Sequence, residues 1–393
     1  MKLKSIKEIK KLAGKRVLLR VDFNISLGAN NRVDKREDNR LRQSLPTIRY
    51  LLKKQARVIL IAHLGRPNGR AVPALSLKPV VSYFEKLLGR AVPLAPGCLD
   101  AKTKKMVEAM KPGGIMMLEN VRFNKGEEAN DKKFAQALAR YADVYINDAF
   151  AVSHRAQASI SGITKYLPSY AGLLMQSEVE TLGRVLKNPQ HPLVVIIGGN
   201  KIETKAGVIK NLLPKADYIL LAGTIANTVL KAQGVQVGKS IVDQATARQL
   251  KHLKLTDTKF KLPVDVILAK KADPTAKARL AAVANIGKNE IILDIGPETL
   301  KIFKAVIKKA KMTVWNGPMG WFEIRQFSQG TKGLAEAVAQ AKGESIIGGG
   351  STVEAVKKYH LESKMDFVST GGGAMLEFLE GKMLPGVKPL IKS

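Results

Sequence analysis

The chain has 393 residues, of which 45% are hydrophobic and 25% charged, a composition typical of globular rather than disordered proteins. Its length predicts two or three domains. No segment approaches the roughly 18 apolar residues of a membrane helix, and the charged first residues lack the apolar core of a signal peptide. The single cysteine, Cys98, excludes an internal disulfide and a thiolate zinc cluster. We therefore expect a reducing, cytoplasmic location and no integral membrane association.

The charge balance is strongly basic. Lys and Arg number 65 against 33 Asp and Glu, which gives a formal net charge of +32. Such a charge attracts nucleic acid, acidic membrane surfaces and small phosphorylated molecules, but it carries no information about the fold. Lysine-rich segments such as 301–310 have the pattern of solvated helix faces. A general surface bias is therefore favoured over a dedicated patch, and non-specific polyanion binding stays open.

Short runs of Val, Ile and Leu alternate with segments of helical period in the first half of the chain. The segments 77–88 and 131–141 have apolar residues at helical spacing and predict helices. The runs that predict buried strands are 17–21, 58–61, 115–118 and 144–146.

The second half repeats this alternation after a helix predicted over 171–187, which prolines at 189 and 192 close. The predicted strands that follow are 193–197, 218–221, 264–268, 313–315, 345–347 and 367–369. Alternation of this kind favours parallel sheets with helices on both faces. We predict an α/β fold of two doubly wound, Rossmann-like domains joined by a helix and hinge, with an irregular tail after Gly381.

Polar side chains follow the predicted strands of the first half, and ligands of open parallel sheets bind beyond the carboxyl ends of the strands. Arginine presents a planar fork of donors that matches phosphate and carboxylate oxygens. Four arginines near these strand ends therefore favour an anionic ligand. The candidate residues are Asp22, Phe23, Asn24, Arg40, His63, Leu64, Gly65, Arg66, Arg122 and Arg155.

Glycine-rich turns connect predicted strands and helices in the second half, at 198–201, 348–352 and 370–373. Glycine lets backbone N–H groups approach a phosphate, and the N-terminus of the following helix adds a favourable dipole. Three such turns in one sheet, with Lys201 and Lys205 nearby, favour a site for nucleotide phosphates.

Ordered motifs run along nearly the whole chain. They are RVDFN at 20–24, LPTI at 45–48, HLGRP at 63–67, LENVRF at 118–123, NDAF at 147–150, DIGPET at 294–299, WNGPMG at 315–320 and STGGGA at 369–374. In these motifs and their order the chain resembles the phosphoglycerate kinase family.

The resemblance implies reversible transfer of the acyl phosphate of 1,3-bisphosphoglycerate to ADP, giving 3-phosphoglycerate and ATP, with Mg²⁺ on the nucleotide and a monomeric protein. It implies a glycerate-binding domain over 1–172, an interdomain helix and hinge over 173–190, a nucleotide-binding domain over 191–380 and a tail over 381–393 that packs back on the first domain. Phosphoryl transfer depends on positioning and electrostatics and requires no protein nucleophile. We expect domain closure to align the two ligands for direct in-line transfer and to expel water.

The resemblance also assigns site residues by motif position. The substrate-binding residues are Asp22, Phe23, Asn24, Arg40, His63, Leu64, Gly65, Arg66, Arg122 and Arg155. The nucleotide-binding residues are Gly199, Lys201, Lys205, Gly223, Asn316, Pro318, Glu323, Gly348, Gly349, Gly350, Ser351 and Thr352. Groups around the moving phosphoryl are implied to be Arg40, Lys201, Lys205 and the backbone at Gly350 and Gly373.

The chain departs from the family pattern at 25–26, at Ala62, at Asn200, at 221–223, where a fully glycine-rich turn is usual, and at Ser351. Two of these departures are expected to change ligand binding on the nucleotide side. Ser351 stands where the family has an aspartate that helps to hold magnesium, and Asn200 replaces a small residue. A serine hydroxyl can ligate magnesium but adds no charge. We expect an active enzyme with weakened metal binding at Ser351, and altered base affinity from crowding by Asn200.

Two other functions are weighed against this one. A polyanion-binding protein on a kinase-derived scaffold, with weakened catalysis, is suggested by the net charge and by Ser351. It is disfavoured because a mere binder need not keep the whole phosphoryl-transfer set, which here comprises Arg40, Lys201, Lys205 and Glu323. A two-domain sugar kinase is disfavoured because it needs a carboxylate base to activate a hydroxyl, and the sequence context of Asp22 suits substrate binding better.

Overall fold

The computed structural model describes residues 1–28, 31–34, 38–200, 205–250 and 257–392. The chain divides into two units. The first unit comprises Met1–Thr181 and the C-terminal segment from Met383, and the second comprises Leu182–Lys382. Each unit contains a parallel sheet flanked by helices, so the predicted α/β class is confirmed.

The first unit is built on a five-stranded parallel sheet with the order β3-β2-β1-β4-β5. The strands are β1 (Arg16–Arg20), β2 (Arg57–Ile61), β3 (Ile115–Met117), β4 (Val144–Asn147) and β5 (Ser169–Ala171). They are almost entirely buried, as expected for a sheet covered on both faces. Successive strands are added on one side of β1 up to β3 and on its other side from β4, so the strand order reverses between β1 and β4. Doubly wound sheets bind ligands in the crevice at such a switch point.

The helices predicted at 77–88, 131–141 and 171–187 are confirmed. The helices up to the boundary of the units are α1 (Asn39–Lys53), α2 (Lys78–Leu88), α3 (Ala101–Glu108), α4 (Lys125–Glu128), α5 (Lys132–Ala139) and α6 (Leu173–Lys187). The sequence did not predict α1, which contains Pro46. Packing of Leu41, Ile48 and Leu51 in the core stabilises this helix despite the lost hydrogen bond.

The second unit has a six-stranded parallel sheet with the order β14-β13-β12-β6-β7-β8. Its strands are β6 (Leu193–Ile197), β7 (Tyr218–Leu221), β8 (Phe260–Lys261), β12 (Met312–Asn316), β13 (Glu344–Gly348) and β14 (Phe367–Val368). Its helices are α7 (Lys205–Leu212), α8 (Gly223–Ala232), α9 (Gln244–Leu250), α10 (Pro297–Lys309), α11 (Gln329–Gln340), α12 (Gly350–Lys358) and α13 (Gly372–Leu379).

The strand predicted at 264–268 lies outside this parallel sheet, which corrects its expected placement. It is β9 (Asp265–Ala269), which pairs antiparallel with β10 (Arg279–Ala282) and β11 (Ile291–Ile295). The segment between β9 and β10 is short enough for an antiparallel return, whereas a parallel crossover needs a dozen or more residues. An apolar run records that a strand is buried but not the direction of its partner.

The C-terminal segment lies against the start of the chain. The Leu390 carbonyl accepts a hydrogen bond from the Lys4 N–H at 2.7 Å, and the Gly386 carbonyl accepts one from the Asn147 amide at 3.0 Å. The segment is irregular apart from one 3₁₀ turn, Lys388–Leu390. Among the helices in the described ranges, none combines the length and apolar character needed to cross a membrane.

Candidate active site

The loops after β1 and β2 are tied together by polar contacts. Arg40, on the first turn of α1, forms an ion pair with Asp22 (Nη1 to Oδ2, 3.1 Å) and donates to the Asn24 carbonyl at 2.6 Å. The Asn24 amide oxygen accepts a hydrogen bond from the Gly65 N–H at 2.8 Å. These contacts bring Asp22, Asn24, Arg40 and Gly65 to one edge of the sheet.

Arg122 follows β3 and is only 2% exposed. Its Nη1 donates to the Gly65 carbonyl at 2.8 Å, and its Nε lies 3.6 Å from a Glu128 carboxylate oxygen. Within the described part of the protein, Nε and Nη2 have no hydrogen-bond partner. Burial, with the charges of Arg20 and Arg155, lowers the pKa of Arg122 to about 10. Buried guanidinium donors without a protein partner suit an anionic ligand.

His63 follows β2 and is 1% exposed. Burial and the surrounding arginines, chiefly Arg20 and Arg122, hold the pKa of His63 well below its ordinary value. His63 is therefore a neutral group inside a cationic cluster.

The remaining candidates of the first unit differ in exposure. Arg66 is exposed, and Arg155 is partly buried with its Nε 3.4 Å from His154 Nε2. Phe23 is fully buried and lies 4.9 Å from Phe84 between ring centroids, so the structure gives it a packing contact. Leu64 is also buried, and its carbonyl accepts a hydrogen bond from the Asn120 amide at 2.8 Å.

In the second unit, the loops after β6, β7 and β12 make close backbone contacts. The Gly199 N–H donates to the Pro318 carbonyl at 2.7 Å. Gly223 has φ +59°, and a Cβ there would lie 2.8 Å from the Gly199 nitrogen. Glycine is required at Gly223 for both reasons.

Lys205 begins the described part of α7 and is 3% exposed. Its Nζ donates to the Gly198 carbonyl, which holds the ammonium at the end of β6. Asn200 accepts a hydrogen bond from the Thr224 hydroxyl at 3.1 Å. Lys201, the other predicted phosphate-binding lysine, lies outside the described residues.

Two helix N-termini lie side by side at the glycine-rich turns. Helix α12 begins at Gly350 and α13 at Gly372, and a Cβ on Gly372 would lie 3.6 Å from the Gly349 Cα. Gly373 belongs to the first turn of α13, and the exposed Ser351 belongs to that of α12. Backbone N–H groups and dipoles at two adjacent helix starts favour a phosphate ligand.

Side chains of the same edge fix these turns. The Asn316 amide donates to the Gly348 carbonyl at 2.8 Å, and the Thr352 hydroxyl accepts from the Gly317 N–H at 2.7 Å. Glu323 is exposed, and its carbonyl accepts a hydrogen bond from Lys358 at 3.1 Å.

The donor set for a metal is sparse. The described residues contain no group of three or more His, Cys, Asp or Glu side chains that could hold an ion. Magnesium prefers oxygen ligands and is usually bound by one or two protein groups together with substrate phosphates. The exposed hydroxyl of Ser351 fits that requirement as an oxygen donor without charge.

Sequence reasoning missed three buried residues beside the first-unit cluster, namely Arg20, Glu127 and Ser159. Only Arg20 carried a signal, because a charged residue inside an apolar strand is rarely buried unless it is paired. Glu127 and Ser159 give no such signal, because the residues around them in the sequence do not form an apolar run.

Comparison with known proteins agrees with this arrangement. A family model described as phosphoglycerate kinase matches residues 6–382. The phosphoglycerate kinase of Pseudothermotoga lettingae is 46% identical over 395 residues, 99% of each chain. That of Moorella thermoacetica is 47% identical over 383 residues, 96% of this chain and 97% of its own.

Solved structures are similar over the same extent. The phosphoglycerate kinase of Coxiella burnetii has a TM-score of 0.87 at 42% identity and covers 99% of both chains. That of Pyrococcus horikoshii has a TM-score of 0.86 at 28% identity and covers 99% of this chain and 98% of its own. The polar strand ends, the glycine-rich helix starts and these matches lead to one conclusion: the chain belongs to the phosphoglycerate kinase family of enzymes.

Proposed function

We propose that the polar strand ends of the first unit bind 3-phosphoglycerate or 1,3-bisphosphoglycerate, and that the glycine-rich strand ends of the second unit bind ADP or ATP. As a member of its family, the protein catalyses reversible phosphoryl transfer between 1,3-bisphosphoglycerate and ADP, which gives 3-phosphoglycerate and ATP. The comparisons give no support to the polyanion-binding alternative.

The buried guanidinium of Arg122 is the single observation that carries the assignment of the first unit. Leaving a buried polar group unsatisfied costs about 1–3 kcal/mol, and more for a charged group. The Glu128 carboxylate, 3.6 Å from Nε, is too far to accept a hydrogen bond. A phosphate would accept from both Nε and Nη2 and add negative charge, whereas an uncharged sugar hydroxyl would satisfy the donors without adding charge. We therefore assign the non-transferred phosphate to Arg122, with Arg155, Arg66 and His63 around it.

We assign the other end of the glycerate ligand to the loop after β1. Asn24 and Asp22 are held by Gly65 and Arg40, so their positions are fixed before a ligand arrives. Such prior positioning lowers the entropic cost of binding. Arg40 is half-buried and long enough to turn from Asp22 toward a transferring phosphoryl group.

In the second unit, we assign the nucleotide phosphates to Lys205 and to the helix starts at Gly350 and Gly373. Lys205 is held as a buried cation next to a carbonyl, where an incoming phosphate oxygen is a stronger partner than the amide oxygen. Asn316, Gly199 and Gly223 shape the backbone edge, and Glu323 is assigned to the ribose hydroxyls.

Magnesium, when bound with the nucleotide, neutralises phosphate charge. Ser351 is the side chain of the described turn that we assign to it. The monomeric state, the cytoplasmic location, the predicted domain boundaries and domain closure stay predictions.

A coupled assay with 3-phosphoglycerate and MgATP tests the function. We expect Lys205→Met to lower kcat about a hundredfold or more, because a prepositioned cation on the moving charge is worth on the order of 3 kcal/mol. Lys210→Met is the matched control, since Lys210 is an exposed lysine of the same helix, α7, and should keep the wild-type rate. Turnover of Lys205→Met at the control rate would contradict the assigned role, and absence of turnover in the wild type would contradict the function.

A further inference from the structure

A buried hydrogen-bond chain starts at Glu127 on α4 and leads to Arg20 at the end of β1. Both oxygens of the Glu127 carboxylate contact Ser159, one at 2.6 Å from its hydroxyl and one at 2.9 Å from its N–H. Ser159 lies in a π-helical turn, Ala158–Gly162. The Arg20 Nε donates to the Ser159 hydroxyl oxygen at 2.9 Å. Because arginine can only donate, the Ser159 proton points to Glu127.

The other end of the Arg20 guanidinium contacts His63. Arg20 Nη2 lies 3.2 Å from His63 Nδ1, and the pair is fully buried. Nδ1 must accept this bond and therefore carries no proton. The nearest carboxylate oxygen, Asp22 Oδ1, lies 3.7 Å from Nδ1, too far for a hydrogen bond, and accepts instead from the Asn24 N–H at 3.2 Å. The ring proton is left to Nε2.

The charges around His63 also favour the neutral form of its imidazole ring. Arg20, Arg40, Arg122 and Arg155 face it from β1, α1 and the loops after β3 and β4, and each disfavours the imidazolium. The carboxylates in the cluster are already engaged: Asp22 pairs with Arg40, Glu128 lies beside Arg122, and Glu127 accepts from Ser159.

We propose that Glu127, Ser159 and Arg20 are positioning residues that hold His63 as the neutral Nε2–H tautomer, so that His63 serves the phosphate site as an uncharged hydrogen-bond donor. The proposal rests on the proposed function of that site. It deepens that function by giving the two residue types different roles. The arginines neutralise the anion, and His63 orients it through a hydrogen bond without adding charge. Phosphate recognition by His63 then needs no protonation step.

Nitrogen-15 NMR of the ligand-free protein tests the tautomer. Long-range correlations distinguish a protonated ring nitrogen from an unprotonated one. We expect His63 to show an unprotonated Nδ1 and a protonated Nε2 throughout about pH 6–8, and Arg20→Met to raise its pKa and mix its tautomers. A protonated Nδ1 or an imidazolium in the wild type within that range would overturn the proposal, whatever the ligand affinity.

Calorimetry with 3-phosphoglycerate tests the consequence. We expect Ser159→Ala and Glu127→Gln to weaken binding about tenfold, to shift the His63 nitrogen signals and to leave MgADP binding unchanged. Ser161→Ala is the matched control, a serine of the same π-helical turn whose hydroxyl contacts only the Gln157 carbonyl in the described structure.

Two outcomes would overturn the proposal and leave the Glu127–Ser159–Arg20 hydrogen bonds with a structural role alone. The first is an equal loss of 3-phosphoglycerate affinity in Ser161→Ala and Ser159→Ala, and the second is weakened binding without a change in the His63 signals. Absence of 3-phosphoglycerate binding in the wild type, with the expected tautomer present, would instead contradict the proposed function of the site.

Discussion

Two buried arginines of the first unit differ in whether their hydrogen-bond donors have protein acceptors. Arg20 has its buried donors satisfied by protein groups, whereas Arg122 keeps two buried donors without a protein partner in the described structure. A buried donor without an acceptor is costly, so the first arrangement stabilises the fold, and the second supports our proposal that Arg122 binds a ligand.

Ser351 is the residue at which the metal prediction can be tested. Ser351→Asp adds a carboxylate to the first turn of α12, where it can contact a magnesium ion on the nucleotide. We expect the affinity for MgADP to rise about tenfold and the affinity for metal-free ADP to fall, because the carboxylate repels an uncovered diphosphate. Titration calorimetry with and without magnesium measures both.

Ser351→Asn is the control for the Ser351→Asp variant, since it matches the added size without the charge and should leave the magnesium dependence of ADP binding as in the wild type. Equal behaviour of the Asp and Asn variants would refute the idea that the missing charge weakens metal binding.

Among the elements, α6 begins on an unusual buried cap. Its first N–H, of Leu173, donates to the Thr47 hydroxyl at 2.9 Å, and the Met175 N–H donates to Asp148 Oδ1 at 3.1 Å. Asp148 is fully buried, and its Oδ2 has no hydrogen-bond partner in the described structure. Burial raises the pKa of Asp148 to about 6, so the fold favours its protonated form.

This cap predicts a pH dependence of stability. The pKa of Asp148 is higher in the folded than in the unfolded protein, so the protonated carboxyl stabilises the fold. This contribution to the free energy of unfolding is complete below about pH 4 and is lost as the pH rises through 6. The shift corresponds to about 3 kcal/mol. We expect Asp148→Asn, which keeps the Oδ1 acceptor, to flatten the fall in the free energy of unfolding between about pH 4 and 7, as measured by urea titration and circular dichroism. An unchanged slope in the variant would rule Asp148 out as its cause.

At the scale of the whole molecule, the formal net charge is +32. The exposed lysines of α10, among them Lys304 and Lys308, follow the pattern expected of a solvated helix face. A surface field of this kind attracts polyanions without a defined site, and salt screens it.

We therefore expect a labelled single-stranded oligonucleotide to bind at about 50 mM salt and to be released by about 200 mM, with fluorescence anisotropy as the measurement. MgATP should not compete, and Lys205→Met should bind the oligonucleotide as the wild type does. Binding that resists salt, or that MgATP displaces, would indicate a dedicated site instead of a general surface bias.

The parts of the fold that could be predicted are those that depend on residues close together in the sequence. Strand β6 and helix α2 were visible because burial on both faces produces an apolar run, and amphipathic packing produces a period of 3.6 residues. Helix α1 was hidden by Pro46, and β9 was placed in the wrong sheet, because in both cases distant packing partners decided the outcome.

The α/β class and the family were evident from the sequence, and so were the strand ends to which we assign the anionic ligands, because periodicity and motif order are local properties of a chain. The tautomer that we propose for His63 depends instead on contacts between distant parts of the sequence. Arg20 and Ser159 are 139 residues apart, and the hydrogen bond between them forms only when β1 and the π-helical turn pack together. The direction of that bond depends on which buried groups can donate, and packing alone determines which groups meet.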